Sequence, residues 1–450
     1  MTPAIFKAYD IRGIYPDELD EATVYAIAQA YAKLFKPKRV VLGRDVRMSG
    51  PALWEAAARG LTDHGVDVAD IGVITTDMMY FATAHYKVDG GLTISASHNP
   101  RQYNGLKMMR KGALPISGDS GIEEIKRLVL TGYKYVEKES GKIEKLDIRA
   151  DYLKKCLSFV NVAKIKPLTV VVNGMFGPVV QNVRALDLPI MIVPLNDTPD
   201  GSFPKGPPDP LLEENRHETV ALVRSSNADL GAAWDGDADR FFLFDETGRF
   251  VPGYYITAFL GAYFAAQHKG TKIIHDPRLV WATEASVKAA GGVPLENRVG
   301  HSFIKERMRK EDAAFAGEMS GHFYFRDYYY ADNGLIPFLI LLELISESGK
   351  KVSELFASYF ERYHISGEVN FALSPTSDVP NLLAFLERTY GDGKIDKIDG
   401  LSIEYPDWRV NVRPSNTEPL LRINVEAKSQ AILEKEFMRF KDRITAHLLS

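Results

Sequence analysis

Short β-branched runs alternate with longer amphipathic stretches along most of this chain, and this alternation limits the fold more than any other feature. Val24–Phe35 carries apolar residues at helical spacing, and Lys38–Gly43 and Val66–Ile71 have the character of strands on either side of a second helical stretch. The same alternation returns from Leu168 and again from Lys272. Strands that alternate with helices predict mainly parallel sheets covered by helices on both faces.

The last part of the chain has a different pattern. Trp408–Arg413 and Leu420–Ala427 are predicted strands joined by a tight loop, and Ser429 is a predicted cap for a final amphipathic helix. We therefore predict an α/β protein whose first three domains have related mixed sheets covered by helices, followed by a smaller α+β domain. At about 100–200 residues per domain, 450 residues suffice for these four parts. The predicted domains are 1–150, 151–251, 252–365 and 366–450.

Composition excludes several classes of protein. Lys and Arg number 55 against 59 Asp and Glu, a formal net charge of -4, which excludes a globally basic nucleic-acid binder. The single cysteine, Cys156, excludes an internal disulfide and a multi-thiolate metal site. The chain start soon becomes polar, and the apolar stretches Tyr254–Ala266 and Leu335–Ile345 are too short to cross a bilayer. We expect a cytoplasmic protein with no membrane, nucleic-acid or identifiable protein partner.

The segment 235–240, which reads DGDADR, lies between two apolar runs and is predicted to be a turn between strands. Asp235, Asp237 and Asp239 alternate in it, and carboxylates crowded this closely repel one another unless a cation lies among them. Oxygen ligands indicate a hard ion, magnesium or calcium, and the loop is too short for a twelve-residue calcium hand. Magnesium is the favoured ion. An acidic surface turn that binds nothing is the alternative.

The segment 93–100, TISASHNP, follows a predicted strand and places Ser95 and Ser97 before His98. A serine beside a histidine is compatible with a nucleophile, with an ordinary turn or with a helix cap. The glycines of a hydrolase nucleophile elbow are absent here. The metal loop elsewhere in the chain favours the functional interpretation.

Two further segments complete the set of unusual loops. The segment 413–419, RPSNTEP, opens with Arg413, whose guanidinium suits phosphate oxygens, and the hydroxyls and amide that follow it add small donors. The alternative is a stabilised hairpin turn. The segment 317–322, GEMSGH, offers Glu318 and Ser320 to hydroxyl groups and His322 as a proton carrier, although it could equally be a plain loop. Ligands bind at the carboxyl ends of strands in open α/β sheets, so one cleft formed by all four loops is expected.

These four loops, in this order, resemble those of the α-D-phosphohexomutase family, and most closely its phosphomannomutase/phosphoglucomutase branch. The resemblance runs from Tyr9-Asp10-Ile11-Arg12-Gly13 to Arg422, nearly the whole chain. It implies four domains around a central cleft, in chain order a phosphoserine, a metal-binding, a sugar-recognition and a phosphate-binding domain. It also implies transfer of a phosphoryl group between C1 and C6 of mannose or glucose phosphate, with Mg²⁺, a phosphoserine and a hexose 1,6-bisphosphate intermediate that acts as activator.

The resemblance also implies a role for individual residues. Ser97 would carry the phosphoryl group, and one of its phosphate oxygens would join Asp235, Asp237 and Asp239 around Mg²⁺. The residues implied around the transferring group are Arg12, Lys107, Arg240, His301 and His322. Those implied in substrate binding are Tyr9, His98, Arg278, Glu318, Ser320, Arg413, Ser415, Asn416 and Thr417. The segment 44–50, RDVRMSG, is similar to the family's arginine loop near the metal site.

The sequence departs from that branch at Arg278, where the family pattern has lysine. Arginine keeps the positive charge but replaces a point donor with a planar fork, which affects the fine contact with substrate. Phosphoglucosamine mutases share the architecture but have glutamine where this chain has Met319. Met319 therefore favours glucose and mannose phosphates as substrates. A metal-dependent phosphatase and a non-catalytic sugar-phosphate sensor are the remaining alternatives, and the intact Ser97 and aspartate trio argue against the sensor.

Overall fold

The computed structural model describes residues 2–135, 139–373, 378–414 and 420–449. Its strands, in chain order, are β1 (Ile11–Ile14), β2 (Arg39–Arg44), β3 (Asp67–Val73), β4 (Gly90–Ile94), β5 (Tyr103–Arg110), β6 (Leu114–Pro115), β7 (Ile143–Lys145), β8 (Leu168–Asn173), β9 (Ile190–Leu195), β10 (Leu230–Trp234), β11 (Phe241–Phe244), β12 (Phe250–Val251), β13 (Lys272–His275), β14 (Val293–Glu296), β15 (Phe315–Gly317), β16 (Phe323–Phe325), β17 (Ala331–Asp332), β18 (His364–Ile365), β19 (Val369–Ala372), β20 (Lys394–Asp396), β21 (Leu401–Glu404), β22 (Trp408–Pro414) and β23 (Leu420–Ala427). Its α-helices are α1 (Glu21–Phe35), α2 (Gly50–Thr62), α3 (Thr76–His85), α4 (Glu123–Leu130), α5 (Arg149–Leu157), α6 (Val179–Arg184), α7 (His217–Ser225), α8 (Gly253–Gln267), α9 (Trp281–Ala289), α10 (His301–Glu311), α11 (Leu335–Ser348), α12 (Val352–Arg362), α13 (Val379–Thr389) and α14 (Gln430–Leu449).

The chain forms two compact units. The first holds Met1–Val251 and Ser320–Ser353, and the second holds Pro252–Met319 and Glu354–Ser450. Two complete sheets belong to the first unit, with strand orders β1-β5-β4-β2-β3-β7, where β6 pairs with β5, and β12-β11-β10-β8-β9. The antiparallel strands β16 and β17 also belong to it.

Both complete sheets of the first unit are mixed, and the length of their loops explains why. Strands β4, β2 and β3 run parallel, as do β10, β8 and β9. By contrast, β4–β5 and β10–β11 are antiparallel, because the short segments 95–102 and 235–240 that join them cannot make a parallel crossover. The serine loop and the aspartate loop of the sequence are therefore both hairpin connections at the carboxyl end of a parallel strand.

Packing in the first sheet follows the amphipathic pattern of the sequence. All five residues of β4 are buried, as expected of a strand covered on both faces. Asp20 caps the start of helix α1, since its carboxylate accepts a hydrogen bond from the Thr23 amide at 2.8 Å. Ile27 of α1 and Leu53 of α2 lie in one hydrophobic cluster with Leu92 of β4.

Helix α11 packs beside the second sheet. The Asn333 side-chain oxygen accepts hydrogen bonds from the amides of Leu335 and Ile336, at 2.8 and 2.7 Å, and so starts this helix. Trp234, at the end of β10, donates from Nε1 to the Gly334 carbonyl at 2.8 Å and meets the ring of Phe338 edge-on at 5.3 Å. These contacts anchor the strand that leads into the aspartate loop.

The second unit has two parts. In one, β13, β14 and β15 run parallel. In the other, the order β18-β23-β22-β21-β20 with β19 also on β23 forms an antiparallel sheet. Leu386 of α13, Val410 of β22 and Phe440 of α14 share its core. The predicted cap of α14 is confirmed, because the Ser429 hydroxyl accepts from the Ile432 amide at 3.3 Å.

The predicted fold class is confirmed: mixed sheets with helices, followed by a smaller α+β part. The domain boundaries and the central cleft stay predictions. No helix within the described ranges combines the length and the apolar character needed to cross a bilayer. The cytoplasmic location also stays a prediction.

Candidate active site

Ser97 lies in the hairpin between β4 and β5, and its side chain is buried. Its hydroxyl donates to Oδ2 of Asp235 at 2.8 Å and lies 3.1 Å from Nδ1 of His98. The Ser97 amide donates to the Ser95 hydroxyl at 2.9 Å. The backbone of Ser97 is left-handed, with φ at 51°, a conformation that is uncommon for a non-glycine residue and often marks a functional turn.

The three aspartates of the loop between β10 and β11 meet as the sequence predicted. Asp235, Asp237 and Asp239 are buried, and each offers a carboxylate oxygen within 4.8 Å of the other two. Oδ1 of Asp237 is buried with no hydrogen-bond partner among the residues that the structure describes. A buried acceptor of this kind beside two further carboxylates fits a hard, oxygen-bound cation such as Mg²⁺.

The three carboxylates interact strongly with one another and with the charges around them. Burial and the charges of Asp239 and Asp237 raise the pKa of Asp235 well above its ordinary value. Burial also disfavours ionised Asp239, but Lys107 and His322 outweigh it and hold the pKa of Asp239 well below its ordinary value. A cation among the three would oppose the shift at Asp235.

Three cationic side chains lie around this group. Lys107, buried on β5, donates from Nζ to Oδ2 of Asp237 at 2.6 Å and to Oδ2 of Asp239 at 2.5 Å. Burial alone would lower the pKa of Lys107, but the two aspartates raise it above its ordinary value. Arg12 donates to Asp10 at 2.7 Å and to the Asn99 side chain at 2.5 Å.

The third cation, Arg240, bridges the aspartate loop to a histidine. Its Nε lies 3.8 Å from Oδ2 of Asp235 and donates to Nε2 of His322 at 3.3 Å. Nε2 of His322 is also 3.4 Å from Oδ1 of Asp239, and Nδ1 of His322 is 3.3 Å from the Ser320 hydroxyl. The first unit thus brings Ser320 and His322 to the aspartate group.

His98 and Tyr9 stand at the edge of this site. Burial, together with the charges of Arg240 and Arg12, lowers the pKa of His98 well below its ordinary value, so its ring is neutral near pH 7. Tyr9 is half-buried and directly precedes Asp10, the carboxylate that Arg12 contacts. Every predicted residue of the transfer site except His301 therefore falls in the first unit.

The second unit holds the other predicted residues. Oε1 of Glu318 accepts from the Gly300 amide at 3.2 Å, and Nδ1 of His301 lies 3.5 Å from Nζ of Lys305. Arg278 is buried and makes a fork-to-fork pair with Asp276, at 3.0 Å from Nε to Oδ1 and 2.9 Å from Nη2 to Oδ2. Most of the Arg278 fork is thus already engaged by Asp276.

A cluster of arginines surrounds Glu368, a residue that the sequence patterns missed. Oε2 of Glu368 accepts from Nη2 of Arg413 at 3.2 Å and from Nη1 of Arg278 at 3.3 Å, and Oε1 is 3.5 Å from Nη1 of Arg422. Burial disfavours the ionised glutamate, but the three arginines lower the pKa of Glu368 to about 2. Ser415, Asn416 and Thr417 lie outside the described residues.

Thr76 and Arg47 were also missed as site residues. The Thr76 hydroxyl donates to Oδ2 of Asp237 at 2.5 Å, and Arg47 contacts the serine loop. The threonine pair at the start of α3 carries no motif. Arg47 belongs to the segment 44–50, whose similarity to the family's arginine loop was a signal.

Comparisons with known proteins place this geometry in a family. A curated phosphomannomutase of Salmonella montevideo is 47% identical over 434 residues, which cover 94% of each chain. The chain belongs to the phosphoglucomutase/phosphomannomutase family. The models of this family match in four parts: α/β/α domain I at residues 3–136, domain II at 150–248, domain III at 252–363 and the C-terminal domain at 368–443.

Two further relatives agree with this membership. A phosphomannomutase of Escherichia coli K12 is 45% identical, with 95% of this chain and 96% of that one covered. A crystal structure of a phosphoglucomutase/phosphomannomutase family protein from Burkholderia thailandensis superposes with a TM-score of 0.88 at 31% identity, covering 99% of this chain and 98% of the other. The predicted phosphohexose mutase activity, an isomerase activity, is therefore confirmed, and the acidic triad fits the Mg²⁺ dependence of such enzymes.

Proposed function

We propose that this mutase interconverts the 1- and 6-phosphates of mannose and of glucose through a phosphoryl group carried on Ser97. The observation that carries the proposal is the position of the Ser97 hydroxyl, 2.8 Å from Asp235 in a buried group of three carboxylates. The two curated relatives at 47% and 45% identity are phosphomannomutases, which supports mannose phosphate as one substrate.

The reaction consists of two transfers in opposite directions. In the first, the bond between Ser97 Oγ and phosphorus breaks while a bond forms from phosphorus to a free C1 or C6 hydroxyl oxygen. The hydroxyl proton passes to a base, for which His322 is our candidate. The hexose 1,6-bisphosphate then turns around and returns its other phosphoryl group to Ser97. The same bisphosphate, when added, restores the phosphoserine and so acts as activator.

The first unit supplies charge neutralisation. Asp235, Asp237 and Asp239, with one phosphoserine oxygen, would hold Mg²⁺, which supplies positive charge to the transferring group. Phosphoryl transfer depends on positioning and neutralisation far more than on covalent help. The three cations implied by the resemblance, Arg12, Lys107 and Arg240, take the remaining charge.

The second unit supplies most of the substrate contacts. Arg413, with the neighbouring Ser415, Asn416 and Thr417, binds the phosphate that is not transferred, and the arginine cluster around Glu368 supports an anion-binding role. Glu318 and Ser320 form hydrogen bonds with the sugar hydroxyls at positions 3 and 4. Arg278, which pairs with Asp276 and Glu368, contributes positive charge. Tyr9 and His98 complete the substrate contacts, and His301 belongs with the residues around the transferring group.

The first experiment is a coupled assay for glucose 6-phosphate formed from glucose 1-phosphate, with Mg²⁺ and a trace of glucose 1,6-bisphosphate. Parallel assays use mannose 1-phosphate and glucosamine 1-phosphate. We expect turnover of the first two sugars that requires both additions. Turnover of glucosamine 1-phosphate alone would contradict the proposed substrates, and release of free phosphate at a comparable rate would indicate a phosphatase.

The role of Ser97 is tested with Ser97→Ala and a matched neighbour, Ser95→Ala. Ser95 is the other serine of this loop, and its hydroxyl donates to Asp237 at 3.1 Å. We expect Ser97→Ala to bind sugar phosphate but to lose more than about 1,000-fold in turnover, because the group that carries the phosphoryl is gone. Label from radioactive glucose 1,6-bisphosphate should enter wild type and Ser95→Ala. Label in Ser97→Ala would contradict the proposal.

A further inference from the structure

Arg47 is a charged side chain that neither the reaction nor the substrate contacts use, yet it is fully buried. Burying a guanidinium is unfavourable unless its N–H groups all find acceptors. Here Nε donates to Oδ2 of Asp45 at 3.2 Å, and the Asp45 carboxylate also accepts from the Arg47 amide at 2.9 Å. The arginine loop therefore holds this side chain in a single orientation.

The other four N–H groups of Arg47 all donate to backbone carbonyls of one short segment. That segment, residues 97–103, runs from Ser97 to the start of β5. The accepting carbonyls are those of Ser97 at 2.7 Å, Asn99 at 2.6 Å, Pro100 at 2.8 Å and Tyr103 at 2.9 Å. All five N–H groups of the guanidinium are satisfied, and the serine loop is wrapped around its plane.

We propose that Arg47 is a positioning residue for the phosphoryl carrier: it fixes the backbone of Ser97 so that the hydroxyl faces Asp235. The left-handed φ of Ser97 is a strained conformation that persists only when its surroundings hold it. The hydrogen bond from Arg47 to the Ser97 carbonyl acts on that same residue. This inference rests on the proposed role of Ser97.

The loop 196–210 also contacts Arg47. Arg47 pairs with Gly201 in a parallel bridge, and the guanidinium carbon lies 5.1 Å from the centre of the Phe203 ring. A Cβ on Gly201 would come within 2.0 Å of the Val46 carbonyl oxygen, so only glycine permits this approach.

The same loop also contacts the aspartate loop. The Pro208 carbonyl accepts from the Gly236 amide at 3.1 Å, and a Cβ on Gly236 would lie 2.8 Å from the Ser97 carbonyl oxygen. One segment thus sets the position of both hairpins, the one with the serine and the one with the metal ligands. A displacement of Arg47 would shift the serine relative to the aspartates.

The test is Arg47→Lys, with Gln29→Ala as a control for lost stability. Gln29 is equally buried in the first unit, but it bonds the Gly60 carbonyl and the Tyr135 amide, away from the serine loop. Lysine keeps the charge but cannot reach four carbonyls in one plane. We expect Arg47→Lys to lower kcat and the rate of Ser97 labelling about 10- to 100-fold, the range seen when the support of a site group is removed, with KM nearly unchanged.

Two further measurements separate positioning from general stability. In Gly201→Ala, the added methyl group displaces the arginine loop although Arg47 itself is unchanged. This variant should show the same fall in kcat without a change in KM. In Arg47→Ala, added guanidinium ion at millimolar concentration should restore part of kcat. Gln29→Ala should lower the melting temperature and leave kcat as in wild type.

Wild-type kcat in both Arg47→Lys and Gly201→Ala would overturn the inference, as would a fall no larger than in Gln29→Ala. If Arg47→Ala does not fold, the other two variants decide the question. Failure of the proposed function is a separate result, because it would appear as label or turnover in Ser97→Ala. Loss of activity in Ser97→Ala beside wild-type kcat in both Arg47→Lys and Gly201→Ala would reject the positioning role alone.

Discussion

The two charged clusters of this enzyme, one in each unit, have opposite balances of charge. In the first unit, three aspartates crowd together and Lys107 bridges two of them. In the second, the carboxylate of Glu368 is shared among Arg278, Arg413 and Arg422, and Asp276 also pairs with Arg278. The first cluster suits a hard cation and the second suits an anion. A mutase acts on phosphate groups at two positions of a sugar, and it can use a cation-binding cluster and an anion-binding cluster.

The clusters also differ in how their atoms are held. Asp237 and Lys107 are almost fully buried, and the Asp237 carboxylate accepts at one oxygen from Thr76, Ser95 and Lys107. Glu368 is 24% exposed at its side chain, and its bonds to the arginines are longer, at 3.2 Å or more. A buried, short-bonded network favours fixed geometry, whereas the arginine cluster can exchange one anionic partner for another.

The largest expected effect comes from breaking the first cluster with Asp237→Asn. Removal of one of three carboxylates weakens cation binding, and the lost charge stabilisation of several kcal/mol lowers turnover by about 100-fold or more. The Mg²⁺ concentration for half-maximal activity should rise as well. Asp245→Asn is the control, since the Asp245 carboxylate accepts only from Thr247 and Arg249 of its own turn among the described residues. An unchanged Mg²⁺ requirement in Asp237→Asn would contradict the metal assignment.

A smaller effect is expected from Arg413→Lys in the second cluster. Lysine keeps the charge but loses the planar fork, so KM for glucose 1-phosphate should rise about 10- to 100-fold, the effect of one charged hydrogen bond. We expect kcat to change less than KM, in contrast to Arg47→Lys. Steady-state kinetics provide the measurement, with the exposed Arg439→Lys as control. An unchanged KM would show that Arg413 does not bind substrate.

The variant Glu368→Gln tests how the charge of the second cluster affects stability at different pH values. The arginines lower the pKa of Glu368 from its ordinary 4.5 to about 2, so the ionised form stabilises the fold above pH 4.5. That stabilisation, at most about 3 kcal/mol, is lost as pH falls from 4.5 towards 2. The melting-temperature difference between wild type and variant should therefore be constant from pH 7 to 5 and shrink below 4.5. A difference that is unchanged at pH 3.5 would contradict this, and the surface variant Glu387→Gln serves as control.

The smallest effects come from one capping residue in each unit. Asp20→Ala removes the acceptor for the Thr23 amide in the first unit, and Ser429→Ala removes the one for Ile432 in the second. Each should lower the free energy of unfolding by about 1 kcal/mol and leave kcat and KM unchanged. Calorimetry would show whether the two changes move one transition or two, and so whether the units unfold together.

Much of the fold followed from local pattern. Strand β23 has the predicted bounds, and β8 and β13 begin at the predicted residues Leu168 and Lys272, because short apolar runs between turn residues leave few alternatives. The serine and aspartate loops were also identified, since both motifs are continuous in sequence. The predicted mixed sheets and the predicted turn between strands at 235–240 are both confirmed. The sequence did not show that the serine loop also joins an antiparallel pair of strands.

The sequence by itself determined which chemical groups are available: a serine beside a histidine, three alternating aspartates, and an arginine with small donors. Tertiary structure alone decided which residues support them. Thr76 lies 161 positions from Asp237, Arg47 lies 50 positions from Ser97, and Arg278 lies 90 positions from Glu368. Local sequence does not show which distant residues will pair, because a buried polar group takes whatever partner the packing of distant elements brings to it.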